Sequence, residues 1–198
     1  MAQRTVEQLL ADVRFALDRG LGARDLVPML SHLVTCAPQG SDTSRFARLE
    51  LGRQLLSTNP FRTATLARSV VNEREDDQAW GLLGLALTLL GHYRSAVAAQ
   101  RHACQLDPAH PGHAHNLGHL LDVALGCPKQ ALPWLERAFL GASDVPGIAS
   151  SYAHVLVGLG RLDDARRMLV NHALLDAASA EDILNRWLAP PNLAREVG

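Results

Sequence analysis

The chain has 198 residues, 19 of them basic and 20 acidic, and its formal net charge of −1 argues against a general nucleic-acid-binding surface. Hydrophobic residues make up 47% of the chain, which is too high a share for an intrinsically disordered protein. Aromatic residues make up only 5%, so the composition disfavours an all-β fold and favours helices.

Eleven helices are predicted from apolar residues at helical spacing and from the Gly, Pro and Asn residues that interrupt it. In chain order they cover residues 4–19, 24–36, 43–57, 61–74, 77–90, 94–106, 111–124, 128–140, 146–159, 162–175 and 179–188. Short breaks between consecutive helices are typical of antiparallel helix hairpins. The last helix is expected to take Ser179 as its N-cap, followed by acidic residues in its first turn.

The sequence contains an internal repeat. Gly91, Gly126 and Gly160 follow one another at intervals of 35 and 34 residues, so one unit carries an extra residue near Gly126. The pairs Leu83-Gly84 and Leu117-Gly118 are 34 residues apart, and an earlier copy lies 32 residues before the first pair. A fixed period of this length indicates a stack of similar helical units, of which four are visible.

One unit shows the repeat most fully. Its marker residues are Trp80, Leu83-Gly84, Gly91, Tyr93, Ala96, Ala103 and Pro108. This pattern resembles the tetratricopeptide repeat family, in which small residues let two antiparallel helices approach closely. The later units, at 111–145 and 146–176, lack the leading Trp.

The resemblance implies an all-α fold, a right-handed superhelical solenoid of antiparallel helix hairpins with about four to five repeats and a C-terminal capping helix. Residues 1–40 are expected to form an N-terminal hairpin that is either a degenerate repeat or a cap. Residues 41–176 are expected to hold the repeats, and residues 177–198 the capping helix and a tail.

The resemblance also implies a protein-interaction adaptor or scaffold, because in this family the first helix of each unit lines a concave groove that binds a peptide or helix segment. The residues expected to contact the partner are Leu49, Arg53, Leu85, Leu89, His115, Asn116, His119, Asp122 and His154. This surface is apolar at one end and rich in histidine at the other. The alternative for Leu85 and Leu89 is that they pack against neighbouring helices or against the N-terminal segment.

The histidines allow a second interpretation. His115 and His119 lie four residues apart on one helical face, Asp122 follows about one turn later, and His154 occupies the equivalent position in the next unit. Two imidazoles at this spacing can bind one metal ion, but no Cys or Glu completes the set of ligands. Metal binding is therefore kept as an alternative, and no metal or other cofactor is predicted. His110 and His113 are expected in the preceding loop.

No catalytic motif of the common hydrolase, metalloprotease, phosphate-loop or dinucleotide-binding types occurs, so a non-enzymatic protein is expected. A narrower alternative is a small bacterial chaperone resembling the tetratricopeptide-type secretion chaperones. The expected partner is another protein, with a homodimer left open, and neither nucleic acid nor membrane is expected. The most apolar stretch, Leu82–Leu90, is about half the ~20 residues that a bilayer span needs, and cytoplasmic localisation is predicted.

Overall fold

The computed structural model describes residues 5–189, and the regular structure in this range is entirely helical. The helices are α1 (Val6–Asp18), α2 (Ala23–Cys36), α3 (Asp42–Leu55), α4 (Pro60–Val71), α5 (Asp77–Leu89), α6 (Tyr93–Leu106), α7 (Pro111–His119), a π-helix (Leu120–Ala124), α8 (Pro128–Gly141), α9 (Pro146–Gly158), α10 (Leu162–Asn171) and α11 (Ala177–Leu188). The predicted all-helical fold is confirmed. The predicted tail from residue 190 lies outside the described residues.

Local capping residues set the ends of the helices. The Asp76 carboxylate accepts a hydrogen bond from the Ala79 backbone N–H at 2.8 Å and so caps α5. Gly91 and Gly160 end the turns after α5 and α9 with φ of 75° and 76°, a conformation that favours glycine. The N-cap of α11 is Asp176 rather than Ser179, because the Asp176 carboxylate accepts from the Ser179 backbone N–H at 2.8 Å.

The chain forms two compact units, Met1–Pro108 and Ala109–Gly198. In the first unit each helix from α1 to α5 packs on the next one, and α3 also packs on α5. In the second unit α7 to α11 pack in the same order, α7 also contacts α9, and α9 contacts α11. Each unit is therefore a stack of helix hairpins, in which first helices also meet first helices.

The core of the first unit begins in its N-terminal hairpin. Leu9 of α1 and Leu30 of α2 share one buried cluster with Leu51 of α3. The hairpin predicted for residues 1–40 thus shares its core with the helix that follows it. Whether it is a degenerate repeat or a cap stays a prediction.

Within residues 5–189, no helix combines the length and the apolar character that crossing a bilayer demands.

The π-helix explains the uneven repeat interval. It lies between the Leu117-Gly118 pair and Gly126, which is where the interval grows from 34 to 35 residues. A π-helical turn accommodates one residue more than an α-helical turn. The extra residue is thus absorbed inside the first helix of its unit, and the turn after it keeps its glycine.

Candidate functional site

The first helices of the first unit carry a mixed polar and apolar surface. Arg53 on α3 donates to Gln78 Oε1 on α5 at 2.8 Å and to Glu50 Oε2 at 3.1 Å. Further along α5, Leu89 is 57% exposed and Leu85 is half-buried. Leu89 therefore offers apolar surface that the core of its own unit does not use.

Leu49 was expected on this surface, and that expectation is wrong. Its side chain is only 1% exposed, because α3 packs on α2, α4 and α5. A partner segment cannot reach Leu49 without displacing the core.

In the second unit, the predicted histidines lie together. His115 Nε2 on α7 is 2.9 Å from Ser151 Oγ on α9, and the same oxygen is 3.4 Å from His119 Nδ1. The two imidazoles are stacked with their centroids 5.8 Å apart. Ser151 therefore bridges two imidazoles of the neighbouring helix. Asn116, between them in sequence, is half-buried.

A second pair lies at the π-helix. His154 Nδ1 donates to Asp122 Oδ2 at 2.6 Å, and the Asp122 side chain is almost fully buried. The His154 ring also meets Trp187 of α11 edge-on, with centroids 4.9 Å apart. One histidine thus joins three elements, the π-helix, α9 and α11.

The surroundings move the pKa values of these histidines in opposite directions. Burial lowers the pKa of His115, and the nearby His119 adds to this effect. Burial also lowers the pKa of His119. The hydrogen bond to Asp122 raises the pKa of His154. Positive charge is therefore held more readily at His154 than at the two stacked imidazoles.

The arrangement does not support the metal alternative. Among residues 5–189, no three His, Cys, Asp or Glu side chains are placed so that they could hold one ion. The Asp122 carboxylate and Nδ1 of His154 already occupy each other, whereas His115 and His119 face a serine hydroxyl. Hydrogen bonding between side chains accounts for the cluster.

The histidines expected in the loop also differ from the prediction. His110 is the N-cap of α7, where its ring Nδ1 accepts from the His113 backbone N–H at 3.3 Å. His113 lies inside the helix and is buried. The helix begins at Pro111, which suits the first position of a helix, so His113 falls within its first turn.

A groove that the sequence did not reveal lies on the other side of the first unit, between the second helices α4 and α6. It contains two adjoining cavities of about 460 and 450 Å³, which share Arg68, Asn72 and Leu87. Leu83 and Leu87 of α5 form its floor. Pockets of a few hundred Å³ are typical of ligand sites. We call this feature the α4–α6 groove.

The sequence signal for the α4–α6 groove was present but weak. Phe61, Arg68 and Asn72 recur at helical spacing along α4 and its C-cap and face solvent, as does Ala98 on α6. Phe side chains are usually buried, whereas Phe61 is 72% exposed. Its exposure could not be read from the sequence, so the aromatic residue gave no indication of a groove.

Comparisons with known proteins agree with this architecture. The sequence model of the tetratricopeptide repeat matches residues 77–110. No curated protein sequence matches the chain.

The solved structures include a thermophilic tetratricopeptide repeat protein, TTC0263, from Thermus thermophilus. It has a TM-score of 0.70 at 19% identity, over 92% of this chain and 97% of that one. A crystal structure of MamA has a TM-score of 0.65 at 16% identity, over 88% of this chain and 96% of that one. At such identities the likeness concerns the fold. The chain thus shares the helical-repeat fold of these proteins, and its residues 77–110 match the tetratricopeptide repeat.

Proposed function

We propose that this protein is a non-enzymatic scaffold that binds a segment of a partner protein on the surfaces of its first helices. The observation that carries the proposal is Leu89, a large apolar side chain 57% exposed on the first helix of the repeat that matches the family. Exposed apolar side chains on such a scaffold favour contact with another protein.

The polar groups around these first helices suit a bound peptide. Arg53 and Gln78 form a hydrogen-bonded pair on the same face, and each keeps further hydrogen-bonding capacity for a peptide backbone. In the second unit, His115, His119 and Ser151 offer a similar polar surface. Apolar anchors with fixed polar groups beside them are the usual features of peptide recognition.

The test compares two exposed leucines. Leu89→Glu is expected to abolish partner capture from the native lysate and to weaken binding of the identified partner by about tenfold or more, a loss of about 1.4 kcal/mol. Leu140→Glu is the control, because Leu140 is 78% exposed on α8, a second helix of the other unit. Both variants should keep the wild-type circular dichroism spectrum.

The same experiment also tests whether the bound partner is a second copy of this chain. A differently tagged copy would then be captured by the wild type and lost with Leu89→Glu. If Leu89→Glu and Leu140→Glu retain the same proteins as the wild type, the first-helix surface is not the binding site and this proposal fails.

A further inference from the structure

The α4–α6 groove combines apolar walls with one central charge. Its two cavities lie on either side of the residues they share, Arg68, Asn72 and Leu87. Phe61 lies in one cavity and Trp80 in the other. Trp and Arg are among the residue types that contribute most to binding energy at protein interfaces, and Phe is enriched there.

Arg68 places a positive charge in this groove. The side chains that line it include Arg68, His92 and His102 but no carboxylate. At the Trp80 end, Glu75 Oε2 already accepts from Trp80 Nε1 at 3.2 Å and lies 2.8 Å from His102 Nε2. The Glu75 carboxylate is thus bound to Trp80 and His102 at the edge of the groove and does not pair with Arg68.

Arg68 differs from those arginines of its unit that form ion pairs. Arg45 pairs with Asp76, Arg48 with Glu73, and Arg74 with Asp42. The exposed Arg68 side chain makes no hydrogen bond or ion pair with any residue between 5 and 189. Its guanidinium is thus free to form the paired hydrogen bonds that carboxylates accept.

We propose that the α4–α6 groove binds a segment of a partner protein that places apolar side chains in both cavities and an Asp or Glu carboxylate on Arg68. An internal acidic residue fits better than a chain terminus, because the groove continues on both sides of Arg68 and a terminus would leave one cavity empty. Asn72, one turn beyond Arg68, is placed to bond the backbone of that segment.

This inference deepens the proposed scaffold function, since it adds a second protein-binding surface with its own partner chemistry. It is tested with purified full-length protein and peptides, so its outcome does not depend on Leu89. Loss of peptide binding by Arg68→Glu together with unchanged peptide binding by Leu89→Glu would support the groove, whereas the first-helix surface is tested separately by partner capture with Leu89→Glu.

The probe is a random dodecapeptide library displayed without free C-termini and selected on the wild-type protein. Enriched peptides are expected to carry Asp or Glu between apolar residues. Each is then synthesised with blocked ends, and its Kd is measured by fluorescence anisotropy. Arg68→Glu should weaken binding by about tenfold or more. Arg101→Glu should leave the Kd unchanged, because Arg101 is exposed on α6 but does not line the groove.

Two further variants separate charge from shape. A peptide with Lys in place of its acidic residue should bind Arg68→Glu more tightly than it binds the wild type. A variant that was only destabilised would bind this peptide no better than the wild type does. Ala98→Trp should weaken all selected peptides, because Ala98 is an exposed wall residue and an indole there fills the cavity. The inference is overturned if no peptide is enriched, if enriched peptides lack acidic residues, or if Arg68→Glu binds them as the wild type does.

Discussion

At the scale of single residues, the glycines of the Leu-Gly pairs decide how closely the two helices of a repeat approach. A Cβ added at Gly84 would lie 2.6 Å from Gln100 Nε2, and one added at Gly118 would lie 2.6 Å from Leu135 Cγ. Both partner side chains are buried on the second helix of the same repeat. Glycine is therefore required at this position of the repeat, because the two helices approach too closely to leave room for a methyl group.

Gly118→Ala is expected to lower the free energy of unfolding by about 1–3 kcal/mol, because Leu135 and its backbone would have to move. The gain of about 1 kcal/mol in helix propensity offsets only part of this cost. The control is Gly147→Ala on α9, since a Cβ there meets nothing within 4 Å. Urea denaturation of both variants measures the difference, and equal midpoints would show that this crossing tolerates a side chain.

At the scale of elements, the π-helix connects sequence spacing with side-chain chemistry. It contains Asp122, whose carboxylate is buried and accepts from His154 on α9. His154 in turn contacts Trp187 on α11. π-Helical turns are frequent at functional positions, and here the turn carries the acid that holds a neighbouring helix and, through it, the last one.

This pair makes the stability of the second unit depend on pH. The hydrogen bond to Asp122 raises the pKa of His154 above its ordinary value of 6.5. The stabilisation is therefore complete below pH 6.5 and is lost as the pH rises through the elevated pKa. His154→Gln should accordingly lower the free energy of unfolding more at acid pH than at alkaline pH. The largest loss should be about 0.5–1 kcal/mol, because this histidine is partly exposed.

The measurement is urea denaturation of the wild type and the variant from about pH 5.5 to about pH 8.5. His119→Gln serves as the opposite control. Burial lowers the pKa of His119, so its protonation penalises the fold as the pH falls below 6.5. His119→Gln should therefore raise the free energy of unfolding most at low pH. A pH-independent difference for His154→Gln would show that the charged pair does not contribute.

At the scale of the whole molecule, the chain consists of two compact units, residues 1–108 and 109–198. In the first unit, every helix from α1 to α6 packs on its neighbour in the chain, and the buried cluster begins at Leu9 in α1. Repeat proteins of this kind are stabilised mainly by contacts between adjacent helices. We therefore expect residues 1–108 to fold independently of the rest of the chain.

A fragment of residues 1–108 is expected to fold alone, with a helical circular dichroism spectrum and cooperative urea unfolding. A fragment of residues 1–90 is the comparison, because it lacks α6 and so uncovers the side of α5 against which α6 packs. It should unfold at lower urea concentration and less cooperatively. A fragment 1–108 without cooperative unfolding would contradict the division into units.

The positions of the helices and their repeat follow from the amino-acid sequence alone. The helix predicted at residues 77–90 is observed at Asp77–Leu89, and the one predicted at 128–140 is observed at Pro128–Gly141. These limits depend on local features, namely caps, turn glycines and apolar spacing, which act over a few residues of the chain. The extra residue near Gly126 was also readable, although its π-helical form was not.

Which faces of those helices are exposed depends on how the helices pack together. Helical spacing placed Leu49 and Leu89 on one surface, yet Leu49 is buried and Leu89 is exposed. Spacing also aligned Arg68 with Phe61 and Asn72 along α4, but it did not reveal that α6 lies opposite them and completes a groove. The physical reason is that spacing gives the direction of a side chain around its own helix, whereas exposure depends on how many other helices pack against that direction.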